Sequence, residues 1–269
     1  MQGRGTVTQS DVREHSEFIR SNLRLKTSPV AISYRVEEKA FPDKTRRPLS
    51  KMGRRFVICQ AITTARYYGW TVGLTREDIL CVPAAILFGF SDSQDPSTDL
   101  TDLFTEIGFS KDVPCGAREI DSLARFEKGE IESILVAPAE KALFDPDLIV
   151  IYGNPVQVMR LSQAWSYMTG NRIPGFFGGK LECEQYLIVP FKTGTPQISI
   201  PGNGERIFAM AQDDEMVFAL PARSLPELVQ GLSEAGRAIG ARYPVPPFQF
   251  FEPDLPRAHK TLGKKIGVL

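Results

Sequence analysis

The sequence predicts an α/β fold, with a mixed α+β arrangement also open, built on a mixed sheet covered by helices. Short runs of strand formers such as Ile134-Leu135-Val136-Ala137-Pro138 and Leu148-Ile149-Val150-Ile151-Tyr152 alternate with stretches of helical periodicity. The strands cluster in the second half, which favours a mixed sheet over a purely parallel one. The 269 residues lie near the upper limit for one hydrophobic core, so one large domain or two closely packed halves are expected. The reading divides the chain into an N-terminal helical extension (1–24), one α/β domain (25–242) and a Pro-rich tail (243–269).

The elements follow in order. Residues 11–23 read as a helix, with Asp11 and Glu14 as a capping box and Val12, His15, Ile19 and Leu23 along one face. Pro29-Val30-Ala31-Ile32-Ser33-Tyr34 reads as a strand and residues 35–55 as an exposed loop. Ile58, Ile62 and Ala65 predict a helix over 56–70, with Cys59 in or just before its first turn and Gly69 or Gly73 at its end. Cys81 opens a run in which Pro83 leads into a buried helical turn. Residues 91–118 read as loop plus one short helix.

The clearest unit is strand 148–152, the turn Gly153-Asn154-Pro155 and helix 156–169. Asn154 suits its cap and Pro155 its first position. Further strands are expected at 186–189, 197–200 and 216–220, with turn chemistry at 192–196. A capping box at Ser224 and Glu227 predicts a helix to about residue 239. The tail, with Pro244, Pro246, Pro247, Pro253 and Pro256, reads as irregular. Its Phe248, Phe250 and Phe251 suit either an oligomer contact or this chain's own core.

Charge narrows the partners. With 32 basic and 32 acidic residues the net charge is zero, which supplies no electrostatic reason to expect nucleic acid or a membrane surface. No apolar run approaches the roughly 20 residues of a membrane span, and the N-terminus lacks the apolar segment of a secretory signal. A cytoplasmic protein is expected, and its four cysteines, Cys59, Cys81, Cys115 and Cys183, are therefore read as free thiols, metal ligands or small buried residues rather than disulfides.

Several motifs recur together in one order: Leu25-Lys26-Thr27-Ser28-Pro29-Val30-Ala31, Cys59-Gln60-Ala61, the Cys81 run ending Gly89-Phe90, Tyr152-Gly153-Asn154-Pro155, and Ser199-Ile200-Pro201-Gly202-Asn203-Gly204-Glu205-Arg206. From about residue 23 to 236 the chain resembles the uncharacterised family of domain of unknown function one hundred and sixty-nine (DUF169). The resemblance implies cysteines at the positions of Cys59, Cys81 and Cys183 and often another near Gly202, where this chain has glycine. It implies no activity.

Three readings stand open. In the first, Cys59, Cys81 and Cys183, with Cys115 or a small ligand as fourth partner, hold an iron–sulfur cluster or another thiolate-ligated metal for redox or sulfur chemistry. None of the compact Cys-x-x-Cys spacings is present, so such a site must be assembled by the fold. In the second, a metal-free module binds a small anionic metabolite near Asn154, Gly202, Gly204 and Arg206, through backbone amides and a guanidinium clamp. In the third, the protein is a structural or regulatory subunit whose tail docks on a partner, and a homo-oligomer is also open. His15 and His259 lie toward the chain ends and are poor candidates for a conventional Ser-His or Cys-His pair. The reaction class, if there is one, stays open.

Overall fold

A computed structural model of the protein describes residues 7–35, 41–245 and 254–269. In chain order it contains α1 (Gln9–Leu23), β1 (Val30–Arg35), α2 (Pro48–Met52), α3 (Ile58–Tyr68), β2 (Val72–Thr75), α4 (Val82–Leu87), α5 (Pro96–Glu106), α6 (Val113–Asp121), β3 (Ser133–Pro138) and β4 (Leu148–Gly153). These are followed by α7 (Pro155–Thr169), α8 (Val189–Thr193), β5 (Gln197–Ser199), α9 (Asn203–Phe208), β6 (Met216–Pro221), α10 (Leu225–Glu234) and α11 (Arg257–Lys265).

The strands form one six-stranded sheet in the order β2-β3-β1-β4-β6-β5. The fold is the expected mixture of helix and sheet, but every pairing between these strands is antiparallel. Among the described residues, parallel pairing is confined to isolated bridges, including Arg46 with Val72 and Phe56 with Ile79.

Side-chain alternation along each strand feeds two cores. Ile32, Val136, Val150 and Ala219 point into one, where α3 and α4 pack together with α5 and α6. Ala31, Leu135, Ile149 and Phe218 point into the other, under α1, α7 and α10. Burial on both faces explains why β3 and β4 read as continuous apolar runs. The second core is closely packed: a Cβ on Gly231 of α10 would lie 2.3 Å from the Ala164 carbonyl oxygen of α7.

Local chemistry sets most helix ends. Thr8 Oγ1 accepts the Asp11 N–H (3.2 Å) while the Asp11 carboxylate accepts the Thr8 N–H (2.9 Å). The capping box of α1 is thus Thr8 with Asp11, three residues ahead of the expected pair, because Thr8 supplies both a hydroxyl acceptor and a free N–H. Asn154 caps α7 as expected, accepting the Gln157 N–H at 2.9 Å. Gly69 ends α3 in the left-handed conformation.

Other expectations are corrected. Region 91–118 carries two helices, α5 and α6, because Asp95 and Asp112 each cap a Pro-bearing first turn. Residues 186–189 are not a strand: Glu184–Ile188 form a π-helical turn that runs into α8, buried on all sides and therefore without helical periodicity in its sequence. Strand β2 was not expected. Ser224 makes no side-chain cap, and α10 ends at Glu234. The tail contains α11, which starts directly after Pro256. Phe248, Phe250 and Phe251 lie outside the described residues.

Candidate functional site

Four segments on the α3 side of the sheet place their starts around one cavity of about 190 Å³. Cys59 is the second residue of α3, and Cys81 is the residue that caps α4. Cys183 immediately precedes the π-helical turn, and Gly202 immediately precedes α9. Cys59, Cys81, Cys183, Gly202 and Gly204 all line the cavity, together with the apolar side chains of Val57, Pro83, Phe104, Phe109, Leu181 and Phe208. The fold therefore brings together three cysteines separated by 22 and 102 positions.

Two carboxylates complete the wall. Glu205 is buried, and its Oε1 accepts hydrogen bonds from the hydroxyls of Tyr186 (2.7 Å) and Tyr152 (2.9 Å). Its Oε2 accepts the Gly202 N–H at 2.8 Å. Burial nevertheless holds the Glu205 carboxyl above its ordinary pKa, outweighing those donors. Glu182 accepts the Gly178 and Gly179 N–H groups on Oε1 and the Ser199 hydroxyl on Oε2.

The thiols share this environment. Burial pushes Cys59, Cys81 and Cys183 above the usual thiol range, so in the free protein all three are protonated at neutral pH. Cys183 also feels Cys81, Cys59 and Glu205, which places its sulfur within electrostatic reach of all three. All four cysteines are free and half-buried.

Among the described residues, no three His, Cys, Asp or Glu side chains stand close enough together to grip a single metal ion. The cavity is wider than one ion requires. Its sulfur donors are of the soft kind that hold thiophilic metals and iron–sulfur clusters.

The other sequence candidates fall elsewhere. Cys115 sits in the first turn of α6, receives a hydrogen bond from Arg118 on its Sγ at 3.2 Å, and does not line the cavity. Asn154 is engaged at the start of α7 and by the Tyr243 hydroxyl, 3.0 Å from its Nδ2. Arg206 donates to the Gln212 carbonyl at 2.7 Å and lies 3.6 Å from Asp213. The structure brings Gly202 and Gly204 to the thiols but not Asn154 or Arg206. Sequence reasoning missed Glu182, Glu184 and Glu205; the signal for them is a carboxylate set within an otherwise apolar or Gly-rich run, as in Leu181-Glu182-Cys183-Glu184-Gln185-Tyr186-Leu187.

Fold and site define a helix-covered antiparallel sheet protein with a thiol-lined cavity on one face. The chain belongs to the DUF169 family, described as uncharacterised ArCR, which it matches over residues 19–231. It is 25% identical over 224 residues to the uncharacterized protein MJ0308 of Methanocaldococcus jannaschii, covering 83% of this chain and 94% of that protein. No solved structure matches the chain. No helix among the described residues is long and apolar enough to cross a membrane.

Proposed function

We propose that the protein binds a thiolate-ligated metal centre, an iron–sulfur cluster first among the options, through Cys59, Cys81 and Cys183. The observation that supports this reading is the convergence of these three cysteines, from three separate elements, on one largely apolar cavity. Their protonated state in the free protein is no obstacle, because metal binding expels the thiol protons. With three protein ligands, a cluster keeps one position for a fourth thiol or an external ligand, and it supplies electron transfer or Lewis acidity there.

The anionic-metabolite reading is less well supported. Glu182 and Glu205 line the same cavity and oppose an anion, while Arg206 is engaged outside it. Lys180, the one basic residue of the lining among the described residues, is held by Glu119 at 2.6 Å.

The test is anaerobic purification and reconstitution with ferrous iron and sulfide, followed by visible absorbance and by iron and sulfide analysis. Broad visible absorbance with stoichiometric iron and sulfide is expected. Cys59→Ser, Cys81→Ser and Cys183→Ser each lose most of it, and Cys115→Ser keeps it. A folded protein that stays colourless and takes up no iron overturns the reading.

A further inference from the structure

A second cavity, of about 200 Å³, shares residues 180–182 with the thiol cavity as a wall. Phe176 and Phe177 stand at it as exposed aromatic side chains, and Glu184 lines it from the other end of the segment. Glu184 is only 4% exposed. Its Oε1 accepts the Ala124 N–H at 2.6 Å, and no other hydrogen bond or ion pair reaches the carboxylate among the described residues.

Buried carboxylates are normally paired with a cation. The one ammonium in the cavity wall among the described residues is not available, because Lys180 Nζ is held by the Glu119 carboxylate at 2.6 Å and the Phe109 carbonyl at 3.2 Å. Of the three carboxylates lining this space, Glu119 is paired with Lys180 and Glu182 is held by Gly178, Gly179 and Ser199, which leaves Glu184 without a cation among the described residues. The backbone here is also unusual. Leu181 adopts a left-handed φ of 60°, and the π-helical turn begins at Glu184. Non-glycine residues in that region and π-helical turns both concentrate at functional positions.

The geometry points to a binding subsite for an organic ammonium with a small apolar body, whose charge pairs with Glu184 and whose body lies against Phe176 and Phe177. Aromatic faces and a desolvated carboxylate are the recurring partners of such cations. The assignment does not depend on a metal in the neighbouring thiol cavity.

The experiment is calorimetric titration of the full chain, without added metal, at mildly alkaline pH, with benzylammonium, neutral benzyl alcohol and anionic benzoate. Saturable one-to-one binding of benzylammonium is expected, about tenfold or more tighter than the alcohol, with no binding of benzoate. Glu184→Gln removes the preference for the charged probe. Phe177→Ala, at an exposed position, weakens benzylammonium by about threefold, the size of one cation–π contact, and keeps the proposal testable if the first variant fails to fold. Absence of saturable heat, equal affinity for ammonium and alcohol, or an ammonium preference that survives in a folded Glu184→Gln protein overturns it.

Discussion

Cys183 and Glu184 are consecutive in the chain yet line two different cavities. The left-handed Leu181 lies two residues before Cys183, and the π-helical turn begins at Glu184 itself. One is a soft sulfur donor and the other a hard oxygen, and burial shifts both pKa values upward.

That shift makes Glu184 a pH-dependent liability for the fold. Burial raises its carboxyl pKa from 4.5 to about 7, with Glu182 adding to the rise and the Ala124 N–H opposing it. Between those values the unfolded chain has lost the proton that the folded chain keeps, so stability falls as pH rises through the window and levels off above about 7. The penalty at full ionisation is about 3 kcal/mol. Glu184→Gln, whose amide oxygen still accepts from Ala124, removes this loss. Urea unfolding of metal-free protein across the window is expected to show the two curves diverging; parallel curves would refute the assignment.

Gly202 lines the cavity with the three cysteines, so a cysteine there would add a fourth thiol to it. Its φ of −74° suits any residue. A Cβ there would lie 3.1 Å from Glu182 Cγ and 3.2 Å from the Gly179 carbonyl oxygen, close enough to demand a small adjustment. Gly202→Cys is expected to cost about 1 kcal/mol of stability through this crowding. In return, a cluster held as proposed is expected to decay more slowly in air, because a thiolate would replace an exchangeable ligand. The decay of visible absorbance checks this, and equal decay rates would place the new thiol outside the ligand set.

How much of this was legible in the sequence depends on the range of the interaction that fixes each part. The unit β4–Asn154–α7 reads correctly because its strand run, cap and Pro155 act within a few residues of one another. Residues 186–189 misled because Tyr186, Leu187 and Ile188 are buried by the surrounding tertiary structure, which erases the periodicity that separates helix from strand. Four-residue β2 is held by pairing to β3, about 60 residues away, and gives no local signal. The cysteines were visible as residues, but their convergence depends on how the whole chain packs on one face of the sheet. Arg206 looked free beside its glycines, yet its partner lies at Gln212 in the loop after α9.

Arg66 ties the site to the opposite edge of the same core. It is buried in an ion pair with Glu215, donates from Nε to the Thr27 hydroxyl at 3.0 Å, and lies 3.6 Å over the ring of Tyr152, whose hydroxyl supports Glu205. Arg66→Met leaves the Glu215 carboxylate buried without a countercharge and is expected to cost about 3–5 kcal/mol. Arg66→Met with Glu215→Leu recovers much of that loss, since the stranded charge is gone. Urea midpoints of both variants decide it: if the double variant is no more stable than the single, the pair is not coupled.

Metal loading should be steeply pH-dependent. Burial, acting before any neighbouring charge, keeps Cys59, Cys81 and Cys183 protonated in the free protein. Each thiol that becomes a ligand must expel its proton, so the apparent affinity rises with pH by up to about tenfold per pH unit for every proton displaced. Reconstitution with ferrous iron and sulfide at a series of pH values, followed by visible absorbance, reports the loading. The expected result is tightening from mildly acidic to mildly alkaline pH, with a shallower slope in any single Cys→Ser variant of the three and an unchanged slope in Cys115→Ser. A flat profile in the parent protein would mean that these thiols are not the ligands, and an altered slope in Cys115→Ser would bring α6 into the site.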